Sequence, residues 1–222
     1  MNSKNILILI FFSLILGACA PSRIVKPLAK GEKDVSFSLG GPLIGFAGTT
    51  IPIPFTSLCG AYGVKENLTV FGSLHVTSLA YGVFQTDLGI VREMIAQKGF
   101  IPGISIAPTA NLMFDKWEST FSFYPAIDYN FYWNYKQSQN YFYVGGTNWF
   151  ELRSTRAHEE TQQQHWIPAF QIGHTFKRPK MSYTIEAKYI NPFVSNNNII
   201  VDYRSFGDKG TIGIYIGISK RF

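Results

Sequence analysis

Residues 211–222 read Thr-Ile-Gly-Ile-Tyr-Ile-Gly-Ile-Ser-Lys-Arg-Phe. Ile212, Ile214, Ile216 and Ile218 take alternate positions, with Gly213, Tyr215, Gly217, Ser219 and Arg221 between them. Successive side chains of a strand point to opposite faces, so this segment is predicted to carry one β-branched apolar face and one small or polar face. In a soluble sheet the isoleucines would turn to a protein core. In a transmembrane barrel they would meet lipid, and the opposite face would line the interior.

The rest of the chain favours the second arrangement. Charged residues make up 15% of the 222 residues and aromatics 16%, whereas soluble chains average about 25% charged. The mean hydropathy is only +0.05, so the shortage of charge is not matched by long apolar runs. After the first 18 residues no apolar stretch is long enough for a membrane helix. Apolar content spread in alternation is the pattern a transmembrane barrel leaves. The net charge of +6 does not by itself point to nucleic acid, and no nucleic-acid partner is expected. Basic residues such as Lys65, Lys98, Lys177, Arg178 and Lys180 sit near predicted turns, where long side chains reach a head-group layer or simply water.

The alternation repeats along the chain. Val35, Phe37 and Leu39 alternate with serines. Phe55 to Val64 and Leu68 to Val76 flank a tight turn at Lys65-Glu66-Asn67. Val83 to Val91 and Ile101 to Met113 are weaker, and Pro102 and Pro108 each demand an end position or a bulge. Phe121, Phe123, Ile127, Tyr129, Phe131 and Trp133 share one face, with Ser122, Tyr124, Ala126, Asp128 and Asn130 opposite. A bulge is expected at Pro125. Tyr141 to Leu152, Trp166 to Phe176 and Met181 to Tyr189 follow, the last with Ser182, Thr184, Glu186 and Lys188 on its polar face. With the closing strand this makes ten. Short and long connections mostly alternate, as in barrels with short periplasmic turns and longer outer loops. An even strand count leaves both ends on one side. Tyr129 to Tyr135 with Tyr141 to Tyr143 are expected to form one interfacial aromatic girdle, and Trp149, Phe150, Trp166, Tyr189 and Phe193 the other.

The N-terminus carries a second signal. Lys4 precedes an apolar run from Ile6 to Leu16, about the length of a signal-peptide core. It ends in Leu16-Gly17-Ala18-Cys19, which resembles a lipobox, the processing site of bacterial lipoproteins. The resemblance implies cleavage before Cys19, lipid attachment at Cys19 and, with Ala20 following, sorting to the outer membrane. The alternative is an ordinary secretory leader. Cys59 is then left without an intramolecular partner and reads as a small apolar residue. The closing strand, ending on Phe222, resembles the C-terminal strand of bacterial outer-membrane β-barrels, which implies recognition by the outer-membrane assembly machinery.

These readings divide the chain into a signal peptide (1–18), a periplasmic tether (19–32) and an antiparallel up-and-down β-barrel (33–222). The tether's thirteen residues 20–32 reach at most about 45 Å, ample for an anchor in the periplasmic leaflet.

No catalytic, metal or cofactor site is expected. His75 and Thr77 on one strand face, with Glu186, loosely resemble the arrangement of lipid A deacylases, but Thr77 stands where that pattern has serine, and early in the chain. His174 reads as interfacial. His158 and His165 flank a polar loop with Glu159 and Glu160, and ligation there would need convergence that spacing alone does not give. Asp128, Glu186, Lys188 and Arg221 face inward. Ten strands enclose little more room than side chains fill, and wide channels need about sixteen. Buried charges pair, so a filled or narrowly hydrated lumen is expected. The functional expectation is a lipid-anchored outer-membrane barrel acting as scaffold or surface-interaction protein with membrane lipids as partners. The alternatives are a soluble lipocalin-like carrier, a narrow solute channel or a lipid-modifying enzyme.

Overall fold

The computed structural model describes residues 21–117, 119–135, 139–155, 161–197, 199 and 201–222. Eleven strands form in chain order: β1 (Lys33–Phe46), β2 (Thr49–Pro52), β3 (Phe55–Lys65), β4 (Leu68–His75), β5 (Val83–Ile95), β6 (Gly103–Asp115), β7 (Thr120–Asn134), β8 (Tyr141–Phe150), β9 (Trp166–Lys177), β10 (Met181–Ser195) and β11 (Lys209–Arg221). One short helix, α1 (Val76–Ala80), joins β4 to β5. Apart from β2, each strand pairs antiparallel with its sequence neighbour, and β11 pairs with β1. Ten strands therefore close into an up-and-down barrel. Closure removes the unpaired edges that would otherwise expose backbone donors and acceptors.

The seam holds the two ends of the sheet together. Asp34 to Pro42 lie opposite Arg221 to Gly213 in unbroken register. Phe222 N donates to the Lys33 carbonyl at 2.9 Å, and the Phe222 carbonyl accepts from Lys33 N at 3.2 Å, so Phe222 belongs to the closure. At the opposite rim β1 overshoots the barrel. Leu43 to Phe46 pair with β2 instead, so Leu43 to Pro52, within a Gly/Pro-rich stretch, form a protruding hairpin. Residues 202–204 pack on it: Gly45 N donates to the Asp202 carbonyl and Arg204 N to the Leu43 carbonyl, both at 2.8 Å.

Side chains sort as the alternation requires. Ile216 is 54% exposed on the outside, whereas Tyr215 is 1% exposed on the inside. Phe37, Leu58, Val70, Leu88, Phe123, Val144, Phe170 and Ile185 are likewise exposed, so an apolar surface runs round every side of the barrel. A water-soluble protein does not display apolar area on that scale, and hydrocarbon is the solvent it suits. Inside are Ser57, Thr69, Ser73, His75, Gln85, Asp87, Ser105, Asn111, Asn130, Gln171, Glu186 and Lys188, all buried. A lipocalin-like carrier needs the reverse, apolar inside and polar outside.

The prolines resolve differently from one another. Pro102 ends just before β6, as expected. Pro108 lies within β6, and there the β5–β6 ladder is interrupted without a slip, resuming in the same register between Arg92 and Ile106. The bulge expected at Pro125 does not form, because β6 and β7 pair continuously through Ala110 and Pro125. The β7–β8 ladder begins only at Ala126, so the missing N–H of Pro125 costs no bond. Real register shifts lie between Gly63 and Lys65, between Glu93 and Ile95, and between Ile190 and Ser195.

The aromatic girdles are thinner than expected. Trp133 stacks on Phe142 at 5.1 Å, Tyr135 lies 5.6 Å from His174, and His174 lies 4.1 Å from Phe176 on the outer surface. Tyr132, Tyr141 and Tyr143, however, point inward and are buried. Trp149 is also buried, packed against Tyr124 at 5.3 Å, and leaves the opposite girdle to Trp166, Phe193 and their neighbours. Strand parity decides these positions, and it overrides the preference of Tyr and Trp for an interface.

Candidate functional site: the filled lumen

The segment read as part of a tether is not free. Residues 21–32 enter the barrel at the rim that carries β1's start and β11's end. Gly31 N donates to the Gly63 carbonyl at 2.8 Å, and Gly63 N donates back to the Glu32 carbonyl at 2.9 Å. A Cβ at position 63 would overlap the Ala29 carbonyl, so glycine is what lets the two backbones approach this closely. Above this point the segment hydrogen-bonds to β3, β4, β5, β6, β7 and β10. Leu28 N donates to Thr69 Oγ1 of β4 at 2.8 Å. Ser105 Oγ of β6 donates to the Val25 carbonyl at 2.5 Å. Lys26 Nζ reaches Asn134 Oδ1 of β7 at 3.2 Å, and Ser22 N donates to Glu186 Oε1 of β10 at 3.0 Å. Burial depresses the Lys26 ammonium below its ordinary range, with Glu93 opposing the shift.

Apolar residues of the segment fill two pockets in the wall. Val25 packs with Tyr132, Tyr141 and Tyr143. Ile24 packs against Cys59, Phe71, Val91 and Ala107, which gives Cys59 the small apolar role expected of it. The tyrosines lie over glycines of neighbouring strands: a Cβ at Gly103 would overlap Tyr132, and one at Gly173 would overlap Tyr143.

Arg23 makes the strongest set of contacts. Its Nε and Nη2 donate to Asp87 Oδ2 at 2.9 and 2.6 Å, and Nη1 donates to Ser57 Oγ at 2.7 Å. His75 Nε2 lies 2.9 Å from Nη2 and 3.0 Å from both Asp87 oxygens. One tautomer accepts from the guanidinium, and the other donates to the carboxylate. Ser73 Oγ donates to Asp87 Oδ2 at 2.6 Å. The Arg23 and Asp87 side chains are 7% and 2% exposed. A second network lies across the lumen. Tyr143 donates to Glu186 Oε2 at 2.6 Å, and Lys188 Nζ stands 3.8 Å from Glu186 Oε1 and 3.3 Å from Thr147 Oγ1. At the entry rim Arg221 lies 3.2 Å from Glu32 and 3.8 Å from Asp34. Of the charges named on sequence grounds, Glu186, Lys188 and Arg221 thus lie in paired groups, as charges away from bulk water must.

The residues considered for catalysis are not assembled into one site. His75 is held by Asp87 and Arg23. Thr77 belongs to α1 and bonds Thr56 Oγ1 at 2.9 Å and the Pro54 carbonyl at 3.1 Å. Glu186 belongs to the tyrosine network. His165 Nδ1 meets the Glu151 carbonyl at 2.8 Å, and His158, Glu159 and Glu160 lie outside the described residues, as does Cys19. Sequence reasoning missed Arg23, Val25, Leu28 and Asp87. Asp87 was within reach, because Val83, Gln85, Asp87 and Val91 share one parity.

A cleft of about 90 Å³ remains beside the segment, lined by residues that include Ser22, Arg23, Ser57, Ser182, Tyr215 and Arg221. Ser22 Oγ and Ser182 Oγ are buried there without a protein partner. Such a polar space has room for several waters.

No family model matches this sequence, and no curated protein matches it. Solved structures do resemble the fold. An outer-membrane channel of Pseudomonas putida F1 matches over 91% of this chain and 100% of its own, at 8% identity and a TM-score of 0.51. The translocator domain of the autotransporter NalP from Neisseria meningitidis matches over 89% and 91%, at 7% identity and a TM-score of 0.46. What the first likeness carries is architecture: the chain is a closed ten-stranded antiparallel barrel with the fold of bacterial outer-membrane β-barrel proteins.

Proposed function

We propose that this chain is a lipid-anchored outer-membrane barrel, a membrane scaffold or surface-interaction protein whose lumen is closed by its own N-terminal segment. The observation that carries the reading is the burial of Val25, Leu28 and the Arg23 side chain, with Ile24 half-buried beside them, among the inward residues of β3 to β8. Removing that segment would leave two apolar pockets and an unpaired carboxylate facing solvent. Anchoring through acylated Cys19, placement of the termini rim in the periplasm, and recognition of the strand ending at Phe222 by the assembly machinery are parts of the same proposal. Radiolabelled palmitate incorporation into the intact chain and its loss in Cys19→Ala test the anchor.

Planar-bilayer recording tests the closed lumen. The full chain is expected to give no steady conductance, whereas a variant lacking residues 21–29 gives discrete openings. Large, steady currents from the full chain would overturn the reading in favour of an open solute channel. Mass spectra of lipid A and phospholipids from a deletion strain test the lipid-modifying alternative, which predicts a shifted species; the scaffold reading predicts none.

A further inference from the structure

The wall around Arg23 is a recognition site in its own right. All three nitrogens of the guanidinium are engaged: two on Asp87 Oδ2, and the third on Ser57 Oγ. His75 closes the site beside Nη2. Ser57 is itself fixed by Ser38 Oγ at 2.6 Å, and Asp87 by Ser73, so the acceptors are held in place from outside the ion pair. A planar fork fits acceptors on β3 and β5 at once. An ammonium is a point charge and cannot span them in one plane.

The charge of the wall points the same way. Its inward acidic residues are Asp34, Asp87, Glu93, Asp128 and Glu186, against Lys177, Lys188 and Arg221. Arg23 and Lys26, the cations that meet Asp87 and lie near Glu93, come from the inserted segment and not from the barrel. The barrel alone is therefore an acidic receptor. The cleft beside the segment touches Arg23 and Ser57 directly, so a small solute has a route to the same position.

From this we infer that Asp87, Ser57 and His75 form a luminal binding site for guanidinium-bearing cations, which Arg23 occupies as an internal ligand. The inference rests on the reading that residues 21–29 normally fill the lumen. When the segment leaves, the site is offered to an arginine side chain or a free guanidinium compound, in preference to an amine of the same charge.

Chemical rescue tests it. Arg23→Ala is purified in detergent, its folding checked by heat-modifiable gel mobility, and titrated calorimetrically with methylguanidinium and with methylammonium at matched ionic strength. Methylguanidinium is expected to bind at least tenfold more tightly than methylammonium, and to lose that preference in Arg23→Ala/Asp87→Asn. Equal affinities, or a preference that survives Asp87→Asn, overturn the site. If Arg23→Ala does not fold, Arg23→Ser takes its place under the same criteria. The full chain separates the two readings. It is expected not to bind, and Asp87-dependent binding to it would leave the site standing while contradicting a lumen filled by residues 21–29.

Discussion

At the residue scale, two substitutions separate the wall from what fills it. Asp87→Asn leaves Arg23 buried without its counter-ion, a situation that costs about 3–5 kcal/mol when the charge cannot escape. Here it can escape, because Arg23 sits on a segment that is continuous with no strand until Lys33. The expected outcome is a folded barrel in which residues 21–30 become protease-sensitive, read by limited proteolysis of the detergent-solubilised protein. Gly173→Ala acts on the other network. Its methyl would displace the Tyr143 ring and pull the hydroxyl from Glu186, with an expected loss of about 1–3 kcal/mol by denaturant titration in micelles. An unchanged midpoint would show that the ring moves freely. Much at this scale was legible in the sequence. Parity alone put Glu186, Lys188, Asp128 and Arg221 inside and the isoleucines outside. Arg23 was not legible, since its partners lie 34, 52 and 64 positions away and residues 20–32 have no period to read.

At the scale of elements, β11 is both a lipid-facing strand and half of the seam. Ile216 lies opposite Leu39 of β1 and Ile185 of β10, well inside the barrel's height. A charge on the lipid face near the bilayer midplane costs about 2–4 kcal/mol. Ile216→Lys is therefore expected to lower barrel stability by that order in equilibrium refolding into lipid vesicles, whereas Ser219→Lys, on the inner face near the rim, is expected to cost less. Equal effects would argue against hydrocarbon outside. Strand identities were legible because each strand repeats one period. The β1–β2 hairpin was not, because Gly40, Gly41 and Pro42 read as breakers and the pairing of Leu43 to Phe46 is secured in part by the distant 202–204 segment.

At the scale of the whole molecule, the proposed anchor and the inserted segment draw on the same stretch of chain. Ser22 is three residue steps from Cys19, a reach of at most about 11 Å. Ser22 meets Glu186, five positions along β10 from Met181, which is about 12 Å of barrel height at a 45° tilt. An acylated Cys19 seated in lipid beside that rim would pull against the Arg23 contacts. Cleavage within residues 21–30 is therefore expected to be faster in the acylated chain than in Cys19→Ala, and equal rates would contradict the coupling. That residues 20–32 lack a strand period was legible in the sequence, but where they lie was not: a segment with two prolines and three basic residues looks solvated until a barrel with an acidic wall is folded around it.

The central claim is that this barrel turns its apolar face to hydrocarbon and its polar face to its own chain. Quenching of tryptophan by acyl-chain-brominated lipids tests it most directly, with single-tryptophan variants reconstituted into vesicles. A tryptophan introduced as Ile216→Trp is predicted to be strongly quenched, and the native Trp149, kept as the sole tryptophan, is predicted to be spared. Equal quenching at the two positions, or quenching at Trp149 alone, would contradict the account.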